Sequence, residues 1–181
     1  MSVATAPEWT ASAVEAGTRE SVPEAAKKLT IFQCSGDLER TWATMIMATT
    51  SAAMGQETTV FFTFWGLFPL VKNQKRITGD NWMQKMLSLM NRGGTEHLKL
   101  SKLNVLGAGP AMMHSLARKN KVPSPTELIE MAKDMGVKLV PCQMTMEMMG
   151  LKREDLIDGL EDPAGATTAL LAAQGAATFF I

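Results

Sequence analysis

The run Glu57 to Phe64, ETTVFFTF, constrains the fold more than any other stretch of the chain. Its hydrophobicity is nearly continuous, and it is built from β-branched and aromatic residues. A strand with one wet face alternates apolar and polar residues, because successive side chains point to opposite sides of a sheet. A strand that does not alternate needs cover on both faces, as in parallel sheets sandwiched by helices.

The surrounding pattern agrees. Lys28 to Cys34, KLTIFQC, is a second short apolar run, closed by Ser35-Gly36-Asp37. Asp37 is a fair N-cap for a helix in which Leu38, Thr41, Trp42, Met45, Ala48, Thr49 and Ala52 fall at helical spacing, with Gly55 as its stop. Asp80 to Asn91 reads as a helix with Met83, Met86, Leu87 and Met90 on a core face. A short helix is expected near Pro110. Ser124, Pro125 and Glu127 form a capping-box signature for a helix ending at Gly136. Val137 to Cys142 reads as a strand, Arg153 to Asp158 as a helical turn, and Pro163 to Ile181 as a helix followed by a buried strand. Strands alternating with helices imply an α/β fold: a compact, mainly parallel sheet flanked by helices.

Residues 1–26, rich in Ala, Ser, Thr and Glu, read as a mobile or loosely packed extension that Trp9 could anchor. Residues 27–181 read as a single domain. The Gly107-Ala108-Gly109 run follows no clear strand and reads as a turn.

Charge narrows the function classes. Eighteen basic and eighteen acidic residues cancel. No global field then draws the chain to nucleic acid or to an anionic membrane. The local basic clusters, Lys72 to Arg76, Lys99 with Lys102, and Arg118 to Lys121, read as solvated ends and loops or as docking sites for an acidic partner. Thr59 to Val71 is shorter than the roughly 20 residues a spanning helix needs. The chain is expected to be cytoplasmic, without secretory signal or membrane association. Two cysteines do not make a disulfide scaffold. His97 and His114 stand far apart with no cysteine at zinc-ligand spacing, so a structural zinc site is not expected.

The chemistry concentrates at VPCQMTMEMMG, Val140 to Gly150. Cys142 ends a predicted strand, and ligands of open α/β sheets gather at the carboxyl ends of strands. A helix starting at Gln143 or Met144 would aim unpaired amides at the sulfur and favour its anion, thiolate or persulfide. Met144, Met146, Met148 and Met149 supply soft surroundings with no proton donor. A buried, inert thiol is the competing reading. Cys34 ends the first predicted strand. It is either a core residue or a second, resolving thiol.

The stretches SGDLE, TVFFTFWGL, LKLSKLN, GVKLVPCQMTMEMMG and LIDGLE, in this order between about Lys28 and Ile181, together resemble the DsrE2-type branch of the DsrE/DsrF/DsrH-like sulfur-transfer family. The resemblance implies DsrE-like, flavodoxin-like layering and an oligomer. It also implies a sulfurtransferase-like carrier that holds sulfane sulfur on Cys142 as a persulfide or thiosulfonate. A protein-to-protein sulfur carrier would need no metal or organic cofactor. Gln143, Met144 and Thr145 would then contact the cargo. The implied partners are a TusA-like carrier, rhodanese-type proteins and heterodisulfide-reductase-like complexes. The alternatives are a thiol–disulfide redox protein using Cys34 and Cys142, a non-catalytic interaction subunit, and a Cu(I) site built on the methionines. A homo-oligomer is expected, because FFTFWGLFPL holds more apolar surface than a small domain easily buries.

Overall fold

The computed structural model describes residues 27–72, 78–102 and 108–181. The expected N-terminal extension, Trp9, Gly107 and most of the Lys72 to Arg76 cluster lie outside these residues.

Four parallel strands form one sheet in the order β3-β2-β1-β4, with β1 at Lys28–Gln33, β2 at Glu57–Phe62, β3 at Lys138–Pro141 and β4 at Ala177–Phe180. The helices are α1 (Leu38–Ala53), α2 (Trp82–Met90), α3 (Ala108–Lys119), α4 (Pro125–Asp134), α5 (Gln143–Met149) and α6 (Ala166–Ala173). Parallel neighbours cannot be joined by a tight turn, and the helices supply the crossovers.

One sheet face carries Leu29, Ile31, Val60, Phe62 and Leu139, all buried in the main core with Leu38, Trp42, Met45 and Ala48 of α1 and Leu128, Ile129 and Ala132 of α4. Burying each such side chain stabilises the fold by about 1.5–3 kcal/mol. The periodicity of α1 is realised: Leu38, Thr41, Trp42, Met45, Ala48 and Thr49 are all buried. Trp42 Nε1 also donates to the Pro123 carbonyl at 2.7 Å, pinning the approach to α4. The capping box of α4 forms as its sequence dictates, with Ser124 and Glu127 bonding reciprocally.

The opposite face carries Phe32, Phe61, Val140 and Cys142 in a smaller cluster closed by Ala169 of α6. Thr30 Oγ1 donates to the Ala172 carbonyl at 2.9 Å and holds α6 against the sheet.

Four expectations change. Over its described residues the expected turn at Gly107 to Gly109 is helix, since α3 starts at Ala108. β2 ends at Phe62 and not at Phe64, and the chain then coils tightly through Phe64–Leu70. Gly66 to Leu70 are all buried, so most of this stretch packs within its own protomer, leaving only Phe64 and Trp65 exposed. The α2 methionines are not core: no residue of α2 is buried, and Met83, Met86 and Met90 are exposed. The helix is held by polar contacts, Gln84 Nε2 donating to the carbonyls of Glu147 and Met148 at the end of α5. The last strand is not buried either. All four residues of β4 are exposed, because β4 is an edge strand paired only with β1. Among the described residues, no helix is long and apolar enough to cross a membrane.

Candidate functional site

The carboxyl end of β3 delivers the site. Pro141 closes the strand, and Cys142 is the N-cap of α5. Its backbone is locked: the Cys142 N–H donates to the Phe62 carbonyl at 2.9 Å, and the Met146 N–H donates to the Cys142 carbonyl at 3.0 Å. Gly150, at φ 70°, ends α5 in the left-handed conformation that glycine adopts without strain.

Cys142 is 6% exposed, but it is not sealed in hydrocarbon. It lines a recess of about 280 Å³ with Phe32, Phe61, Thr63, Met144, Thr145 and Met148, among others, and Phe64 and Leu170 complete its rim. The lining is almost wholly apolar apart from the thiol and two threonine hydroxyls.

Those hydroxyls are arranged around the sulfur. The Phe64 N–H donates to Thr145 Oγ1 at 3.0 Å. Thr145 Oγ1 and Thr63 Oγ1 lie 3.1 Å apart. A hydroxyl has one proton and two lone pairs. Accepting from the Phe64 amide, Thr145 has its one proton left to give to the sulfur or to Thr63 Oγ1. The residue that presents this amide, Phe64, has a positive φ of 48°, unusual for a bulky side chain. Such strain costs on the order of 1–3 kcal/mol and persists only where neighbours enforce it.

Burial pushes the Cys142 thiol up, but the Thr145 hydroxyl and amide, the Thr63 hydroxyl and the Met144 amide favour the anion more strongly and hold it below the usual thiol value. Cys34 behaves oppositely. Burial raises it, and the neighbouring charge of Cys142 raises it further. The two thiols are thus shifted in opposite directions.

The register explains why both cysteines feel each other. Gln33 pairs with Phe62, and Phe62 with Pro141. One step further brings Cys34, Thr63 and Cys142 level, with β2 between the thiols. Two strand spacings of about 4.8 Å each put the cysteine backbones roughly 9–10 Å apart. A disulfide needs α-carbons within about 7 Å, so a direct Cys34–Cys142 bond requires the backbone to move. Both cysteines are free, Cys34 half-buried.

The predicted contacts divide. Met144 and Thr145 line the recess, whereas Gln143 turns away and donates to Glu147 Oε1 at 2.9 Å. The methionines divide too: Met144 and Met148 face the recess, and Met146 and Met149 are buried in the core. No group of three or more His, Cys, Asp or Glu side chains that could hold a metal is present among the described residues. The sequence reading reaches Thr63 and Phe64 only as part of the FFTFWGLFPL run, part of which is expected to cover the thiol, and not as individual site residues. Their role depends on β2 ending beside β3, which no local pattern encodes.

A family model described as DsrE/DsrF/DrsH-like matches residues 25–180. The chain is 37% identical over 158 residues to the uncharacterized protein YrkE of Bacillus subtilis, covering 87% of this chain and 99% of that protein. It is 33% identical over 144 residues to the sulfur carrier protein DsrE2 of Allochromatium vinosum, covering 75% of this chain and 86% of that one. Among solved structures, a protein of unknown function from Methanobacterium thermoautotrophicum, MTH1491, aligns with a TM-score of 0.49 at 11% identity, over 85% of this chain and 98% of the other.

Proposed function

We propose that this protein, which belongs to the DsrE/DsrF/DrsH-like family, is a carrier that holds sulfane sulfur on Cys142 and passes it between protein partners in the cytoplasm. The observation that carries this reading is a thiol with favoured anion in an apolar recess, faced by two hydroxyls and two amides. Its relative DsrE2 of Allochromatium vinosum, a sulfur carrier protein, points the same way.

The step is a displacement at sulfur. The Cys142 thiolate attacks the outer sulfur of a donor persulfide, R–S–SH. The donor S–S bond breaks, R–S⁻ leaves with the electron pair, and the new Cys142 S–S bond leaves a terminal sulfur that deprotonates. An acceptor thiolate then attacks that terminal sulfur, and the Cys142 thiolate leaves. No net oxidation occurs and no co-reactant is consumed. The same amides and hydroxyls that favour the thiolate favour it as leaving group. Methionine and phenylalanine walls offer the persulfide no proton. With a polythionate donor such as tetrathionate, the Cys142 thiolate attacks an inner sulfur, thiosulfate leaves with the electron pair of the broken S–S bond, and Cys142 then carries –S–SO3⁻. A TusA-like, rhodanese-type or heterodisulfide-reductase-like protein would present the exchanging sulfur at the rim of the recess.

Mass spectrometry after incubation with inorganic polysulfide tests this. A sulfur adduct on Cys142, absent from Cys142→Ser, supports the carrier. An unmodified Cys142 in the native protein sinks it.

One further reading has an observation in its favour. Cys142, Met144 and Met148 line one recess, which makes three soft sulfur ligands available to Cu(I). Equilibrium dialysis with cuprous ion, comparing native protein with Met144→Leu/Met148→Leu, separates it from the carrier.

A further inference from the structure

A second recess, of about 460 Å³, opens on the other side of the segment that walls off Cys142. Phe64 lines the thiol recess, and its neighbour Trp65 lines this cleft. Ser35, Gly36 and Asp37, directly after Cys34, form its floor; Leu89 and Met90 of α2 and the stretch Asn91, Arg92, His97 and Lys99 form its far side. Trp65 is stacked on Phe68 at 5.8 Å and so presents a fixed flat wall.

The charges in this cleft do not cancel. Its carboxylate, Asp37, is already engaged: Ser35 Oγ donates to it at 2.7 Å and Arg40 Nε lies 3.6 Å away. Arg92 and Lys99 face the cleft, and neither has a carboxylate partner among the described residues. Two unneutralised cations beside an apolar wall of this size fit a small organic anion better than a flat protein surface, since ligand pockets run from about 300 to 1,000 Å³. Arginine in particular forms a fork that matches a carboxylate or sulfonate.

We propose that this cleft is a binding site for a small thiol or persulfide carrying carboxylates, anchored by Arg92 and Lys99 against Trp65, and lying one wall away from the sulfur-carrying residue. This inference rests on the carrier reading for its choice of a thiol. It adds a low-molecular-weight co-substrate to a protein otherwise read as exchanging sulfur only with proteins. Trp65 of the cleft adjoins Phe64 on the rim of the thiol recess, so the ligand's sulfur end must pass Phe64 to meet a loaded Cys142, and exchange then follows the same balanced displacement.

Calorimetric titration of the full-length protein at low ionic strength tests it with three probes. These are reduced glutathione, which bears two carboxylates and a thiol; its dimethyl ester; and a glutamate-rich octapeptide without cysteine. We expect saturable millimolar or tighter binding of glutathione, weakened about fivefold or more by esterification and by Arg92→Ala/Lys99→Ala, as loss of two partly exposed ion pairs permits. Added salt should weaken it in parallel. Absent glutathione binding, or equal affinity in native protein and variant, overturns the proposal. Binding of the octapeptide alone, sensitive to the same substitutions, also overturns it and assigns the cleft to an acidic protein segment. Polysulfide loading of Cys142 is measured on the same samples. A failed cleft with normal loading sinks this inference alone, whereas failed loading sinks the carrier reading itself.

Discussion

Thr63 Oγ1 and Thr145 Oγ1 lie 3.1 Å apart, joining the end of β2 to the first turn of α5 beside the Cys142 sulfur. The pair connects two segments that are remote in sequence. Thr145 also accepts the Phe64 N–H, so its one proton is left for the sulfur or for Thr63.

Thr145→Val removes that proton donor while conserving volume. It also leaves the Phe64 amide without its acceptor, a buried loss of about 1–3 kcal/mol. The thiol should then titrate higher, and alkylation of Cys142 by iodoacetamide at neutral pH should slow several-fold. Thr145→Ser keeps the hydroxyl and should retain most of the native rate. Equal rates in all three proteins would remove Thr145 from the site.

The two thiols should separate on a pH axis. Cys142 is lowered and Cys34 raised from the ordinary thiol value. A lowered acid is deprotonated at lower pH, and the thiolate is the reactive form. Cys142 labelling should therefore persist below the free-cysteine value of about 8.5, while Cys34 labelling rises only above it. Peptide mapping across a pH series reads both. In Cys142→Ser the Cys34 profile should move down, because the neighbouring charge is gone.

Gly66 is where the coil after β2 touches the sheet. A β-carbon there would sit 2.1 Å from the Gln33 carbonyl oxygen, and the Gly66 N–H donates to the Cys34 carbonyl at 2.9 Å. Backbone cannot yield as a side chain can. Gly66→Ala should destabilise the fold by about 1–3 kcal/mol, as overpacked sites do, and shift Phe64 away from the recess. Denaturant unfolding gives the first quantity. Faster labelling of Cys142 by a bulky maleimide gives the second.

The outer edge of β4 offers unpaired backbone donors and acceptors with Phe179 and Phe180 exposed, Phe180 by 75%. Edge strands of this kind pair with another strand unless charge or cover prevents it. We expect the protein to self-associate through this edge, and Phe180→Lys to shift it toward the monomer at micromolar concentration. Light scattering of both proteins decides; a native monomer contradicts the expectation.

Much of this architecture is written locally. The unalternating run at Glu57, the capping residues Ser124 and Glu127, and the stripe from Leu38 to Thr49 each state their own secondary structure. Propensity, capping and burial period act within a few residues. The same locality located Cys142 at a strand end before a helix. It failed for α2 and β4, whose apolar residues look like core but face outward. Hydrophobic spacing says that a face wants cover and does not say what provides it.

The sequence by itself determined the parallel α/β class, the strand-to-helix placement of Cys142 and the methionine-rich character of its surroundings, since all three follow from short-range order. Only the tertiary structure decided which thiol is lowered and which is raised. That choice depends on β2 lying between β1 and β3, which brings Thr63 level with Cys142, aims Thr145 at the sulfur and holds Cys34 too far away for a bond but close enough to feel a charge. Electrostatic and hydrogen-bonding terms act across space, and which strands become neighbours is settled by packing the whole sheet.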